Sequence, residues 1–593
     1  MVDTLVLVGT GFLLYVLLLY AATTRGLLPS YVGIQGPIVT LHTERGKRFL
    51  DWLAGPKRFW RAWANFGVGI ALVVMFGAFV ALLSLTISAL QTSPGADVAR
   101  SPENVLVIPG VNPFLPLSAA GEITFGLLVG LVVHEGGHGL LCRVEDIDIN
   151  SMGLALLAIL PVGAFVEPDE ESRGKASRGG QTRMFAAGVT NNFAVTLLAF
   201  GLLFGPVVAS IGVAPGAAVG GVFPNSTADD AGIERGDRIT GVDGVGIGNN
   251  SEFSDAVEGV EGREVAVEVN DDRTLQVDRS LVVIASDPEV TGIGRGERIV
   301  AVNTTPVFSE KGFREAIRST GDVVEITTEA GNRTAFPAGS FVRVGREGPM
   351  QAAGAPAGES IVVTRIDGNR VLTTEELTEE LDGIDPGTEV PVVVYRNGSR
   401  EVYDVTIGEN PRDGEGFLGV RLVASGTSGL IVSGFGVNLY PAESYLATLG
   451  GSGESPTPIT DSFVGRAFVV LLLPVAGVAV GSLFPYNFPG FTGAATDFFV
   501  PQGPLAPLGD WVFLLANLLF WTGWINVQLG AFNCIPAFPL DGGHILRTST
   551  EAIVSRLPGD VGRPAVRAVT TTVGLTMLVS VLVLIFGPGL VSG

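Results

Sequence analysis

Cysteine is nearly absent from this 593-residue chain, which holds only Cys142 and Cys534. No disulfide framework of a small secreted fold is therefore available. Lysine is almost as scarce: Lys47, Lys57, Lys175 and Lys311 stand alone, and arginine supplies the rest of the 37 basic residues set against 59 acidic ones. The resulting formal charge of −22 excludes a nucleic-acid binder. Lysine depletion beside an acidic excess suits a chain that works in concentrated salt, so a halophilic setting is expected; folding retained on transfer to low salt would overturn it. Charge of either sign is sparse, 16% against 47% hydrophobic residues, and the mean hydropathy is +0.44. That is more apolar than an ordinary soluble domain and rules out disorder as the whole answer. A membrane protein is the first expectation.

Apolar stretches near the roughly 20 residues needed to cross a bilayer lie at about 4–22, 65–90, 118–142, 184–209, 463–484, 510–533 and 568–590. Between 211 and 460 there is none. The first reads as an uncleaved anchor with its N-terminus outside, because it has no basic leading region and is followed by Arg25. Basic residues orient the rest. Arg25, Arg45, Lys47, Arg48, Lys57, Arg58 and Arg61 place the first loop in the cytoplasm, whereas the loop over 91–117 carries only Arg100 and is external. Arg143, Arg173, Lys175, Arg178 and Arg183 after the third stretch, and Arg547, Arg556, Arg563 and Arg567 after residue 533, face the cytoplasm by the same rule. The long segment after the fourth stretch is then external. Segment 463–484 is one crossing too many, and Pro474, Gly477 and Gly481 suggest a re-entrant hairpin there.

The external segment repeats one pattern three times. Gly236-Asp237-Arg238-Ile239 leads into Val242-Asp243-Gly244, Gly296-Glu297-Arg298-Ile299 into Val302-Asn303-Thr304, and Ile361-Val362-Val363 into Ile366-Asp367-Gly368. Each is followed by a short helical run and an alternating apolar strand such as Val265-Ala266-Val267-Glu268-Val269. The stretch from Gly216 through Pro224-Asn225-Ser226-Thr227-Ala228 to Asp237 resembles the opening of a PDZ domain of the bacterial protease type. The unit ending at Gly416-Phe417-Leu418-Gly419-Val420 looks like a second complete one, and the middle unit is less regular. That resemblance implies capture of peptide C-termini beside an added strand.

The third apolar stretch ends in His134-Glu135-Gly136-Gly137-His138. On a helix, residues i and i+4 share a face, so both imidazoles can reach one metal while Glu135 stands beside them as a general base. A catalytic zinc takes three protein ligands and keeps a fourth position open. The remaining histidines are His42 and His544; Asp541, in Pro539-Leu540-Asp541-Gly542-Gly543-His544, is the better third donor, because charge places it on the same side as the first two. Cys142 and Cys534 lie near these residues but are expected as small buried side chains, and Gly136 and Gly137 as helix-packing positions.

Together these residues resemble the site-2 protease family of intramembrane zinc metalloproteases, in which an HExGH helix and a later Leu-Asp-Gly segment bind the metal. The resemblance implies one Zn2+ per chain held by His134, His138 and Asp541, with Glu135 as the catalytic base. It extends to Gly153–Glu167, similar to the family's membrane-associated hairpin, and to Gly188-Val189-Thr190-Asn191-Asn192, similar to its Gly-xxx-Asn motif. Asn192 and Asn533 are candidates for holding the substrate backbone. The implied activity is hydrolysis of peptide bonds within transmembrane segments of membrane proteins, near the cytoplasmic face, with the hairpin offering the unwound substrate a strand edge. Rival classes are a peptide-binding membrane receptor and an ion or metal transporter with a non-catalytic site; Glu135 between the two histidines favours hydrolysis.

The expected architecture is a polytopic α-helical membrane protein of six or seven hydrophobic segments, bearing an extracytoplasmic α/β tandem of PDZ-like domains. Its divisions are an accessory region over 1–117, a protease core over 118–210, the tandem over 211–425, a linker with the re-entrant segment over 426–509, the aspartate-bearing helix over 510–547 and a C-terminal loop and helix over 548–593. Expected partners are transmembrane protein substrates, peptide C-termini and membrane lipid.

Overall fold

The computed structural model describes residues 2–91, 109–110, 115–158, 160–410, 414–479, 484–556 and 562–591. Arg100 and most of the external loop expected over 91–117 lie outside the described residues. The chain divides into two compact units, one built from Met1–Gly212, Glu443–Gly493 and Pro501–Gly593, the other from Val213–Ala442 and Ala494–Val500.

In the first unit, five helices among the described residues are long and apolar enough to cross a membrane: Lys57–Leu90, Leu117–Val144, Arg178–Ser210, Trp511–Asn533 and Gly562–Phe586. The labels used below are α1 (Val2–Thr24), α2 (Glu44–Leu53), α3 (Lys57–Gln91), α4 (Ala120–Val144), α5 (Arg178–Leu202), α6 (Trp511–Asn533), α7 (Asp541–Val554) and α8 (Gly562–Val591). The other two expected segments are shorter apolar helices, Gly9–Thr24 within α1 and Phe463–Val475. In the latter, an α-helix over Phe463–Leu472 gives way to a 3-10 turn over Leu473–Val475. Pro474 there has no N–H to continue a helical ladder, so the regular helix is about half a crossing long.

Helices α4, α5 and α6 approach through small residues, the usual device where lipid removes any hydrophobic drive to associate. A Cβ on Gly126 would lie 2.9 Å from the Trp521 backbone, and one on Gly137 2.8 Å from the Ala187 carbonyl oxygen. Four strands form an antiparallel sheet in the order β1 (Val32–Gln35), β2 (Ile38–His42), β3 (Ile149–Leu157), β4 (Leu160–Pro168). The basic loop after α1 thus contributes a hairpin to the sheet, with Val39 opposite Leu156, rather than remaining a plain connection. Strand β4 is left at the edge.

The second unit holds three six-stranded sheets, one per repeat. The main path of the first runs 273–278, 264–269, 238–242, 217–222, 437–439; the second runs 333–337, 323–328, 298–302, 281–285, 431–433; the third runs 399–406, 389–396, 360–366, 340–344, 420–424. The middle repeat is as complete as its neighbours. Each sheet covers its own apolar core, around Val242 and Phe253, Val302 and Phe313, and Ile366 and Leu377. Helices Asn250–Gly259, Glu310–Arg318 and Thr374–Asp382 begin on Asn249, Ser309 and Thr373, whose side chains accept N–H groups three residues on.

The last strand of each sheet comes from a return segment that closes them in reverse order: 420–424 joins the third repeat, 431–433 the second and 437–439 the first. The tandem expected to end at 425 therefore runs on to Leu439, because the leading strand of the first two repeats takes a partner from beyond that boundary.

Candidate metal centre

His134 and His138 stand one turn apart on α4, and Asp541 is the first residue of α7. Their donor atoms form a nearly equilateral triangle: His134 Nε2 to His138 Nε2 is 3.1 Å, His134 Nε2 to Asp541 Oδ2 3.1 Å and His138 Nε2 to Asp541 Oδ2 3.2 Å. They are the only group of three or more potential metal ligands found among the described residues. Both histidines are buried.

The local sequence explains the convergence. His138 Nδ1 lies 2.8 Å from the Met184 carbonyl oxygen on α5; a carbonyl only accepts, so that nitrogen carries the proton and Nε2 turns a lone pair toward the triangle. Gly188 on α5 leaves the space the two rings occupy, since a Cβ there would fall 2.7 Å from His138 Nε2 and 2.8 Å from His134 Cε1. Gly542 and Gly543 let the start of α7 press against the backbone of Cys534–Phe538, which seats Asp541.

The donor set fits a divalent cation. Asp541 Oδ2 is buried without a hydrogen-bond partner while facing two imidazole nitrogens. Tetrahedral zinc with bonds of about 2.0–2.1 Å separates its ligands by roughly 3.3 Å, close to the observed edges. Three protein donors leave a fourth position for water or substrate.

Glu135, next along α4, accepts the Val166 N–H of β4 through Oε2 at 3.0 Å. It lines a cavity of about 810 Å³, mostly apolar, whose other walls include Trp60 and Trp63 of α3, Ala164–Val166 of β4 and Asn191 of α5. Gly136 opens on this cavity with nothing within 4 Å of a Cβ, whereas Gly137 packs against α5. The two neighbouring glycines thus serve different ends.

The other residues singled out fall elsewhere. Asn192 is fully buried with neither amide atom hydrogen-bonded, and Asn533 donates to the Leu529 carbonyl of its own helix at 3.0 Å. It is Asn191 that reaches the cavity. The helix period of 100° per residue turns adjacent asparagines to different faces, a distinction the Asn-Asn pair alone does not reveal. His42 lines the cavity and touches Thr40 and Phe165. His544 is stacked on Phe185, ring centroids 4.3 Å apart, and edged by Phe538; burial pushes its imidazole below the ordinary value. Cys142 and Cys534 are buried free thiols.

Just past α4, Glu145 accepts from Arg183 at 2.9 Å and Arg61 at 3.2 Å, with its side chain 7% exposed. Burial pushes its carboxyl up, and the two guanidinium groups more than offset this, leaving it below the usual carboxylate value. This knot ties α3 and α5 to the end of α4, two turns beyond His138.

Two histidines and a carboxylate converge among membrane-length helices, beside a glutamate in an apolar cavity. The chain belongs to peptidase family M50, whose model matches residues 122–581, and is a metalloprotease. Three relatives illustrate the range of similarity. An uncharacterized protein of Methanocaldococcus jannaschii is 28% identical over 189 residues, covering 32% of this chain and 48% of its own. A Neisseria meningitidis protein named "Putative zinc metalloprotease" is 22% identical over 477 residues, 74% of this chain and 91% of its own. A second M. jannaschii protein, named a zinc metalloprotease, is 36% identical over 96 residues, 15% of this chain and 27% of its own. The chain thus spans about half of the first relative and nearly all of the second. Among solved structures, the PDZ domain of an SdrC-like protein from Listeria monocytogenes matches at 22% identity with a TM-score of 0.13, covering 14% of this chain and 87% of that one.

Proposed function

We propose that the protein hydrolyses peptide bonds within transmembrane segments of membrane proteins, near the cytoplasmic face, with His134, His138 and Asp541 holding one zinc ion and Glu135 as general base. The observation that carries this reading is the triangle of donor atoms with Glu135 adjacent to it in sequence and opening on an apolar cavity. Zinc, when bound, supplies a Lewis acid that polarises the scissile carbonyl and acidifies water. Glu135 moves the protons. Its Oε2 is anchored by the Val166 N–H, which leaves Oε1 to take a proton from the attacking water and return it to the departing amine.

A helical peptide bond has its carbonyl engaged, so the substrate must unwind before attack. Strand β4 is the sheet edge, and an unwound substrate segment pairs there as a fifth strand. The apolar walls of the cavity suit the side chains of a membrane-spanning segment. The basic residues flanking α4, α5 and α7 support a cytoplasmic site and an external insert, and the insert's three sheets, read as PDZ-like units, receive peptide C-termini and filter which substrates reach the membrane.

The test is cleavage of a panel of tagged single-span membrane proteins by the purified full-length protein in detergent and high salt. Wild type is expected to give fragments, and Glu135→Gln is expected to keep its zinc while cleavage falls by about 10²–10⁴-fold. Stoichiometric zinc without fragments from any substrate, trimmed ones included, would defeat the reading.

A further inference from the structure

Asn191 is the one asparagine of α5 that opens on the cavity beside Glu135, and its amide has a fixed orientation. Trp63 Nε1 on α3 lies 3.0 Å from Asn191 Oδ1. An indole N–H only donates, so the amide atom facing it is the oxygen and the NH2 group turns the other way. That group lies against α4, where a Cβ on Gly137 would come within 2.8 Å of Asn191 Nδ2. Asn191 Nδ2 has no hydrogen-bond partner among the described residues. Asn191 thus lines the cavity with an unused donor of fixed orientation, its Nδ2 lying at the α4–α5 crossing.

We propose that Asn191 donates this hydrogen bond to a carbonyl of the unwound substrate, and that Trp63 is the positioning residue that keeps the amide facing it. The inference rests on the peptidase reading of the same cavity. Trp63 lies before residue 122, where the family match begins, so part of the N-terminal region completes the substrate site. Chemically, the substrate carbonyl freed by unwinding meets β4 on one side and an amide donor on the other. A donor aimed at the oxygen that gains charge lowers the barrier, and removing one such donor elsewhere costs about 10²–10³-fold in turnover.

The discriminating variant is Asn191→Asp in the full-length protein. A carboxylate oxygen still accepts from Trp63 and keeps the side chain's shape, but the free donor is gone. Expected is a fall in kcat of about 100-fold, with kcat/KM falling alongside, zinc content unchanged and the thermal midpoint near wild type. Trp63→Phe keeps an aromatic ring, frees the amide to rotate and is expected to lower kcat about 10-fold, an effect that disappears when added to Asn191→Asp. The proposal is overturned by an Asn191→Asp enzyme with wild-type turnover, by independent and additive losses from the two variants, or by loss of zinc from Asn191→Asp. Glu135→Gln run in parallel separates the two levels. If wild type cleaves and Glu135→Gln does not, a fully active Asn191→Asp removes only the Asn191 assignment; if wild type does not cleave, the peptidase reading falls and takes this one with it.

Discussion

The membrane unit and the inserted unit use glycine for opposite reasons. In the membrane unit, Gly126, Gly137 and Gly188 supply space, because a methyl group at any of them would collide with a neighbouring helix or a ligand imidazole. In the insert, Gly244 and Gly368 have nothing within 4 Å of a Cβ but sit at φ +76° and +83°, where a side chain strains the backbone. The membrane unit is therefore intolerant of added volume at its helix crossings, whereas the insert is intolerant of the wrong backbone preference at its turns.

Adding one methyl group to each kind of glycine breaks or sustains this contrast, and the largest effect is expected at Gly188. Gly188→Ala forces the His134 and His138 rings apart, and His138 cannot yield because Nδ1 is tied to Met184. Metal affinity is expected to fall about 100-fold, at the upper end of what disturbing a ligand's support costs, and cleavage with it. Gly136→Ala, in open space on the same metal-bearing turn, is expected to retain zinc. Metal analysis of the two purified variants checks both. Equal zinc in both would mean that Gly188 is not there to make room for the ligands.

The contrast also explains what was legible in the sequence. The histidine pair and Glu135 announce themselves because ligand chemistry requires those residue types at fixed spacing, whereas Asp541 is picked out by the membrane side its basic neighbours give it; the two histidines and the aspartate meet within a 3.2 Å triangle. The repeats are visible through Val242, Val302 and Ile366, since each buries an apolar residue just before a turn. The return strands over 420–439 are not, because their partners lie up to about 220 residues away and no local pattern encodes a non-local pairing. Nor is the hairpin of β1 and β2, which follows an apolar stretch and reads as a basic loop until β3 supplies its partner. Asn191 was hidden for the simplest reason: a one-residue step on a helix changes the face.

A smaller effect is expected at Glu145, where the membrane unit uses charge rather than space. Because the carboxyl is held below its ordinary value, its contribution to stability is present above the unfolded value of about 4.3 and is lost as pH falls through the lower folded value. Glu145→Gln is expected to cost about 2 kcal/mol at neutral pH, the range for hydrogen bonds to charged groups, and to converge with wild type in the most acidic buffer the fold survives. Thermal midpoints of both proteins across that range measure it. A gap that stays constant with pH would assign the effect to packing instead of charge.

The smallest effect sharpens the comparison inside the insert. Asp243, Asn303 and Asp367 occupy the same turn of successive repeats at φ +49°, +51° and +48°, and each donates its N–H to the facing strand, at Ala266, Glu325 and Pro391. In the first two repeats the bond is returned: Ala266 N–H donates to Asp243 Oδ1 and Glu325 N–H to Asn303 Oδ1, both at 2.8 Å. In the third, Pro391 has no N–H to give. Alanine at all three positions meets the same left-handed strain of about 1 kcal/mol, but only Asp243→Ala and Asn303→Ala also lose a side-chain hydrogen bond of about 1 kcal/mol. Denaturant unfolding of the full chain is therefore expected to rank Asp367→Ala as the mildest of the three, and Asp367→Gly as nearly neutral, since glycine relieves the strain and no side-chain bond is lost. Equal losses at all three turns would show that the backbone angle alone sets the cost and that the facing strand contributes nothing.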